Sequence, residues 1–122
     1  EDEIVPLALF CRREGFHLRF IEFMPLDAEA GWSQKQVLTG EAVRTLLERE
    51  VGLMKPSVQD DCGQPAVDYD WEDGQGRVGF ISPVSQPFCH RCDRLRLTAD
   101  GHFRNCLFSS NIIDSFGSNE EA

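Results

Sequence analysis

The pattern that most constrains this chain is a set of three cysteines in its last third. Cys89 and Cys92 are separated by two residues, and Cys106 follows after a spacer of 13 residues. A two-residue spacer lets two thiolates converge on one metal centre. A third thiolate on the returning strand of a hairpin can close the site. The pattern therefore predicts a metal site with three protein ligands and an open fourth position.

The spacing alone leaves three kinds of site open. Zinc would take His90 or His102 as a fourth ligand, a 4Fe-4S cluster would keep one iron free, and a redox pair would need no metal. Cys11 falls on the apolar face of a predicted helix, and Cys62 falls in an acidic loop. Five cysteines are an odd number and only three are clustered, which argues against a secreted disulfide scaffold and predicts a reducing, cytoplasmic location.

Arg94 and Arg96 share one face of the strand that follows Cys92. Planar guanidinium groups bind phosphate oxygens through paired hydrogen bonds, so a polyphosphate is the expected ligand. The net charge of −9 makes non-specific binding to nucleic acid or to an anionic membrane unexpected, and an anionic ligand needs such a local basic cluster. The alternative is an exposed strand face paired with acidic neighbours.

The register of the hairpin after Cys92 tests the link between arginines and cysteines. If Gly101 is the left-handed residue of a three-residue bulged turn, Thr98 faces His102. Arg94 then lies opposite Cys106 on the same face of the hairpin. A two-residue turn would shift the register by one residue and send both arginines to the other face.

The rest of the chain predicts a mixed α/β organisation with a soft boundary in the loop over residues 53–65. No apolar run approaches the roughly 18 residues of a membrane-spanning helix. The predicted elements are a helix over residues 2–14, a buried strand over Leu18–Met24, a helix capped by Thr39 and ending at Gly52, and two antiparallel hairpins, over residues 66–81 and 94–108.

Three carboxylates and one methionine are further candidates. Glu22, within the buried strand, and the Asp60–Asp61 pair could act as acids or bases, but a solvated surface or an ion pair is the favoured interpretation. Met24 is interpreted from the residues alone as a core side chain that fills an irregular gap.

Two motifs carry a resemblance to a known family. The run from Phe88 to Gly101, closed by residues 106–108, resembles the C-terminal cluster motif of the GTP 3′,8-cyclases. These are radical S-adenosylmethionine enzymes of molybdenum cofactor biosynthesis. The run Arg19–Asp27 resembles a late barrel strand of the same family. Two separate motifs in the family's order favour the cluster over zinc.

The resemblance implies a substrate and a mechanism. In that family an N-terminal cluster cleaves S-adenosylmethionine, the resulting radical abstracts the 3′ hydrogen of GTP, and the 3′ carbon closes onto C8 of guanine. A second 4Fe-4S cluster, held by three cysteines, binds the guanine through its open iron. Carried over, the resemblance makes Cys89, Cys92 and Cys106 cluster ligands, Arg94, Leu95 and Arg96 a GTP-binding segment, and Met24 a contact of S-adenosylmethionine.

The resemblance also implies an architecture, a C-terminal fragment of an incomplete TIM-type barrel. Residues 1–55 would form its last α/β unit, and residues 66–122 a C-terminal region carrying the auxiliary cluster. The family's N-terminal cysteine triad and glycine-ended tail are missing from this sequence, and Asp93 replaces a commoner asparagine, so the fragment alone is expected to be inactive. Its exposed strand predicts self-association as a homodimer. A non-catalytic zinc-binding interaction domain and a different radical enzyme with a related cluster domain remain alternatives.

Overall fold

A four-stranded sheet, two helices and a small hairpin make up the computed structural model, which describes residues 1–26, 31–58 and 63–107. The elements are α1 (Ile4–Glu14), β1 (Leu18–Ile21), α2 (Gly40–Glu50), β2 (Met54–Pro56), β3 (Ala66–Trp71), β4 (Arg77–Ile81), β5 (Arg96–Leu97) and β6 (Phe103–Arg104). Short 3₁₀ turns occupy Gln34–Gln36 and Cys89–Arg91. The predicted α/β fold with antiparallel hairpins is confirmed, and the described strands form an open sheet, not a closed barrel.

The sheet has the strand order β1-β4-β3-β2. Strand β1 runs parallel to β4, whereas β3 is antiparallel to both β4 and β2. The predicted boundary over residues 53–65 therefore lies within one sheet, because β1 comes before it and β4 after it. None of the helices described here is long and apolar enough to cross a membrane.

Because side chains point alternately to the two sides of each strand, the sheet has one face that the helices cover and a second face. Phe20, Trp71, Val78 and Phe80 pack against α1 and α2, where Leu47 is fully buried. Each such large apolar side chain contributes about 1.5–3 kcal/mol on burial. The second face carries two rows set by the strand register: Arg19, Gly79 and Asp68 in one, and Ile21, Ile81 and Ala66 in the other.

The predicted end of α1 and the predicted start of α2 are confirmed, whereas α1 begins at Ile4, two residues later than predicted, and α2 ends at Glu50, before the predicted Gly52. Gly15 ends α1 in the left-handed conformation at φ 76°, which glycine adopts without a steric penalty. The hydroxyl of Thr39 accepts a hydrogen bond from the backbone N–H of Ala42 at 3.2 Å and so caps α2. Cys11 is buried in α1, as predicted.

Two strand predictions need correction. The strand predicted over Leu18–Met24 ends at Ile21, because the last backbone bond to β4 is donated by Glu22 to Ile81, and Met24 lies beyond the sheet. Residues 54–56, predicted as loop, form β2. The loop was predicted in part from Pro56. A proline is tolerated at this position because β2 is an edge strand. Asp60, Asp61, Cys62 and residues 108–122 lie outside the described residues.

Candidate functional site

One pocket collects most of the predicted site residues. Its lining includes Cys89, Cys92 and Cys106 together with Arg94 and Arg96, and its volume is about 240 Å³. The cysteines come from two separate segments, the 3₁₀ turn before β5 and the segment after β6. The fold thus brings together residues that the sequence keeps up to 17 positions apart.

The remaining walls of the pocket are mainly apolar. Ile21 and Ile81, neighbours in the sheet register, contribute from the second face of the sheet. Met24 contributes from the segment after β1, and Pro83 and Phe88 from the segment after β4. A mainly apolar lining with a few polar groups is typical of small-molecule sites.

The hairpin register agrees with the bulged-turn prediction. Arg96 pairs with Arg104 and Leu97 with Phe103. Thr98 donates its backbone N–H to the carbonyl of His102 at 2.8 Å, and Gly101 is left-handed at φ 85°. The same register continued outward places Arg94 opposite Cys106, which is why both line the pocket.

The arginine segment presents two of its three side chains to the pocket. Arg94 Nη2 donates to the carbonyl of Gly63 at 3.2 Å, which uses one of the five N–H groups of the guanidinium and holds it beside the pocket. Arg96 also lines the pocket. The Leu95 side chain does not contribute to the lining and is 61% exposed. Any contact of Leu95 with a ligand would have to come from its backbone.

The thiol groups differ in accessibility. Cys89 and Cys92 are exposed and Cys106 is half-buried, and a hydrogen bond from the N–H of Cys92 to the carbonyl of Cys89 at 3.2 Å shapes their turn. Within the three described ranges, no three His, Cys, Asp or Glu side chains converge tightly enough to hold a single metal ion. The thiolates of an iron–sulfur cluster bind different irons and need not meet at one point. A pocket that gathers three thiols thus has the donor set such a cluster requires.

The two histidines considered as a fourth zinc ligand do not line this pocket. His90 is exposed in the turn between the cysteines. The Nδ1 atom of His102 lies 3.2 Å from Asp100 Oδ2 within the hairpin turn. Both side chains therefore lie outside the arrangement formed by the cysteines and arginines.

Glu22 is buried, contrary to the interpretation as a solvated or ion-paired carboxylate. Its side chain is 3% exposed and accepts hydrogen bonds from the backbone N–H groups of Gly40, Val84 and Ser85 at 2.9–3.0 Å and from the Ser85 hydroxyl. Burial alone would raise the pKa of Glu22, but these hydrogen bonds together lower it below its ordinary value. The sequence signal was a carboxylate inside an otherwise apolar run.

Asp68 is a second buried carboxylate, and sequence reasoning did not single it out. It is 5% exposed and accepts from Gln64 Nε2 at 2.9 Å and Arg19 Nη2 at 3.2 Å, with His17 Nε2 also at 3.2 Å. Burial opposes ionisation, but the bonds from Gln64 and Arg19 and the nearby positive charge lower the pKa of Asp68 overall. Gln64 adjoins Gly63, so this network also holds the segment to which Arg94 is bonded.

Several curated proteins are similar to this chain along most of its length. A GTP 3′,8-cyclase of Rhodopirellula baltica is 45% identical over 113 residues, covering 91% of this chain and 32% of its own length. The GTP 3′,8-cyclases of Pelotomaculum thermopropionicum and Streptomyces coelicolor are 40% and 39% identical over 114 residues, each covering 93% of this chain. The chain spans about a third of the length of these curated relatives and matches their C-terminal part. Residues 16–116 match the family model Molybdenum Cofactor Synthesis C, and the chain belongs to that family.

Proposed function

We propose that this chain is the GTP- and 4Fe-4S-binding C-terminal part of a cytoplasmic GTP 3′,8-cyclase that acts in molybdenum cofactor biosynthesis. The observation that carries the proposal is the single pocket that combines three cysteines with Arg94 and Arg96. The relatives suggest the reaction, since the curated relatives described above are named GTP 3′,8-cyclases. The pocket would contribute the ligands of the cluster and part of the surface that binds the nucleotide.

In this proposal Cys89, Cys92 and Cys106 hold the cluster as thiolates. The bound cluster supplies an open iron that can accept a donor atom of the guanine base. Three protein ligands are therefore a complete set here, since the substrate fills the fourth position. The apolar side chains beside the cysteines would offer packing contacts to the base.

Arg94 and Arg96 are proposed to bind the triphosphate. The triphosphate carries several negative charges, whereas the chain as a whole carries −9, so binding depends on these local cations. The contact from Arg94 to the carbonyl of Gly63 orients its guanidinium before the ligand arrives. Less conformational entropy is then lost on binding.

The radical chemistry is assigned to the part of the enzyme outside this chain. Residues 1–55 are proposed as the last α/β unit of an incomplete TIM-type barrel, and residues 66–122 as the region that carries the auxiliary cluster. Met24 lines the same pocket and is proposed to contact S-adenosylmethionine there. The chain would thus bind and orient GTP, while the rest of the enzyme generates the radical.

Anaerobic reconstitution with iron and sulfide tests the metal assignment. We expect about four irons per chain, with acid-labile sulfide and brown absorption, because three thiolates suffice for a 4Fe-4S cluster. Cys106→Ser should lose most of the iron, whereas Cys11→Ser serves as a matched control because Cys11 is buried in α1. A colourless chain with one tightly held zinc would reject the cluster and support the zinc-binding alternative.

Binding of GTP to the reconstituted chain tests the substrate. Isothermal titration should give a stoichiometry of one GTP per chain, and the affinity should fall when the cluster is omitted. Equal affinity for GTP and for inorganic triphosphate would reject the role of the open iron, because triphosphate carries no base.

We also propose that the isolated chain forms a homodimer through the outer edge of β1. Strand β1 ends the described sheet, and a groove beside it is lined by Leu7, Phe20, Ile21 and Leu38. Ile21 is 58% exposed, and an apolar strand edge favours association. Light scattering should report a dimer for the wild type and a monomer for Ile21→Lys. A monodisperse wild-type monomer would reject this proposal.

A further inference from the structure

We infer that Glu22 is a positioning residue that fixes the two walls of the pocket relative to each other. The inference deepens the proposed function and rests on it only for the identity of the ligand. The carboxylate lies at the end of β1 and binds two other segments at once. Oε1 accepts from the N–H of Gly40 and from the hydroxyl of Ser85, and Oε2 accepts from the N–H groups of Val84 and Ser85.

Two of the three segments that meet at Glu22 lead within a few residues to the pocket, whereas the third, which carries Gly40, anchors the carboxylate to the start of α2. Along the first, Met24 follows Glu22 by two residues and lines one wall. Along the second, Pro83 precedes the bonded amides and Cys89 follows Ser85 by four residues. A four-residue connection spans at most about 14 Å, so the position of Ser85 limits where Cys89 can lie.

The bonded groups show why this position needs an acceptor. Three of the four donors are backbone N–H groups that cannot rotate away, and the side chain that receives them is 3% exposed. An ionised carboxylate is acceptor-only and matches all four donors. Each buried N–H left without an acceptor costs free energy, and water has little access to replace it.

Two substitutions separate the contributions of the carboxylate. Glu22→Ala removes every acceptor and releases the segment that carries Val84 and Ser85. Glu22→Gln keeps one side-chain oxygen, which can still accept from the N–H groups of Val84 and Ser85. Its NH₂ group then faces Gly40 and the Ser85 hydroxyl, and this hydroxyl can accept a hydrogen bond from it. Glutamine therefore loses the Gly40 bond but retains the connection that leads to Cys89. The conservative variant should restore most of what alanine abolishes.

The first readout needs neither cluster nor nucleotide. Hydrogen exchange of the apo chain should be about 10–100-fold faster at Val84 and Ser85 in Glu22→Ala than in the wild type, since hydrogen bonds to a charged group are lost. Glu22→Gln should remain within a few-fold of the wild type at these amides. Unchanged exchange at Val84 and Ser85 in Glu22→Ala would overturn the inference.

The second readout compares the GTP affinity of the Glu22 variants with that of a control variant that is destabilised elsewhere in the fold. Val78→Ala removes volume from the core on β4, where Val78 is buried and does not line the pocket, so it serves as the destabilised control. Below the melting transition of both variants, we expect a roughly tenfold weaker GTP affinity in Glu22→Ala, recovery in Glu22→Gln, and wild-type affinity in Val78→Ala. Equal losses in Glu22→Ala and Val78→Ala would reduce Glu22 to a general structural role and overturn the inference.

The two readouts also separate this inference from the proposed function. A wild-type chain that binds neither cluster nor GTP would reject the proposed function. If Glu22→Ala still accelerated hydrogen exchange only around Val84 and Ser85, Glu22 would still fix the pocket wall, and the pocket would serve a ligand other than GTP. Acceleration spread evenly over the whole sheet would overturn it.

Discussion

Replacement of Gly79 by alanine should destabilise the chain by disrupting the buried carboxylate of Asp68. Gly79 lies between Arg19 on β1 and Asp68 on β3 in the sheet register. A Cβ atom at this position would overlap with Asp68 Oδ1 and would lie 3.0 Å from Cγ of Arg19. The glycine is therefore required by close packing on the second face of the sheet.

The expected cost follows from two effects at the same site. Inserting a methyl group into a packed site costs about 1–3 kcal/mol. Asp68 cannot turn away freely, because Gln64 and Arg19 hold Oδ2 and His17 lies 3.2 Å from Oδ1. Weakening a buried hydrogen bond to a charged group adds about 1–3 kcal/mol. We expect a total of about 3 kcal/mol, or a fall of about 10 °C in Tm for a domain of this size.

Thermal and urea unfolding followed by circular dichroism would measure this loss. Gly52→Ala is the matched control, because its Cβ would meet only Arg12 Nη1 at an ordinary 3.7 Å and its φ is not in the left-handed region. Its effect should stay within about 1 kcal/mol.

A double-mutant cycle tests the cause. In an Asp68→Ala background the Gly79→Ala change should cost less than about 1 kcal/mol, since the overlapping oxygen is gone. An equal cost of Gly79→Ala in both backgrounds would refute the proposed clash.

Three further outcomes are expected. Arg94→Ala should weaken GTP binding about 10–100-fold through loss of a charge-assisted phosphate contact. Arg77→Ala should leave the affinity unchanged, because Arg77 begins β4 and does not line the pocket. Equal losses in titrations of both variants would contradict this. The pKa of Glu22 is lowered on folding, so its stabilising effect is present above its unfolded pKa of 4.5 and is lost as pH falls through the folded pKa. The Tm of the wild type should therefore fall more steeply with acid than the Tm of Glu22→Gln. Parallel profiles of Tm against pH would rule this effect out. Thr39→Ala should lower stability by about 1 kcal/mol in urea unfolding by removing the cap of α2, a result that an unchanged midpoint would exclude.

Features that depend on local chemistry could be predicted from the sequence. The turn at Asp100 and Gly101 could be predicted, and it limited the hairpin to two registers, of which the structure has the bulged one. The start of α2 followed from Thr39 and the end of α1 from Gly15 for the same reason. Since the register also sets the facing of Arg94 and Cys106, part of the candidate site was accessible from the sequence.

Features that depend on distant partners could not be predicted. The parallel pairing of β1 with β4 joins residues 60 positions apart, and no local pattern encodes it. The burial of Glu22 has the same origin, because its donors come from Gly40 and from residues 84–85. The sequence showed an unusual carboxylate in an apolar run, but only the fold supplies the N–H groups that make its burial favourable.

The distribution of ion pairs explains how so acidic a chain can keep a basic pocket. The described residues contain ion pairs that join arginine to a carboxylate at Arg12, Arg13, Arg19, Arg44, Arg49 and Arg77. No ion pair among these residues involves Arg94 or Arg96, and Arg94 is fixed by the neutral carbonyl of Gly63. The buried carboxylates Glu22 and Asp68 accept hydrogen bonds from other donors. Among the described residues, neither pocket arginine is paired with a carboxylate, which is the arrangement that the proposed binding of a polyphosphate requires.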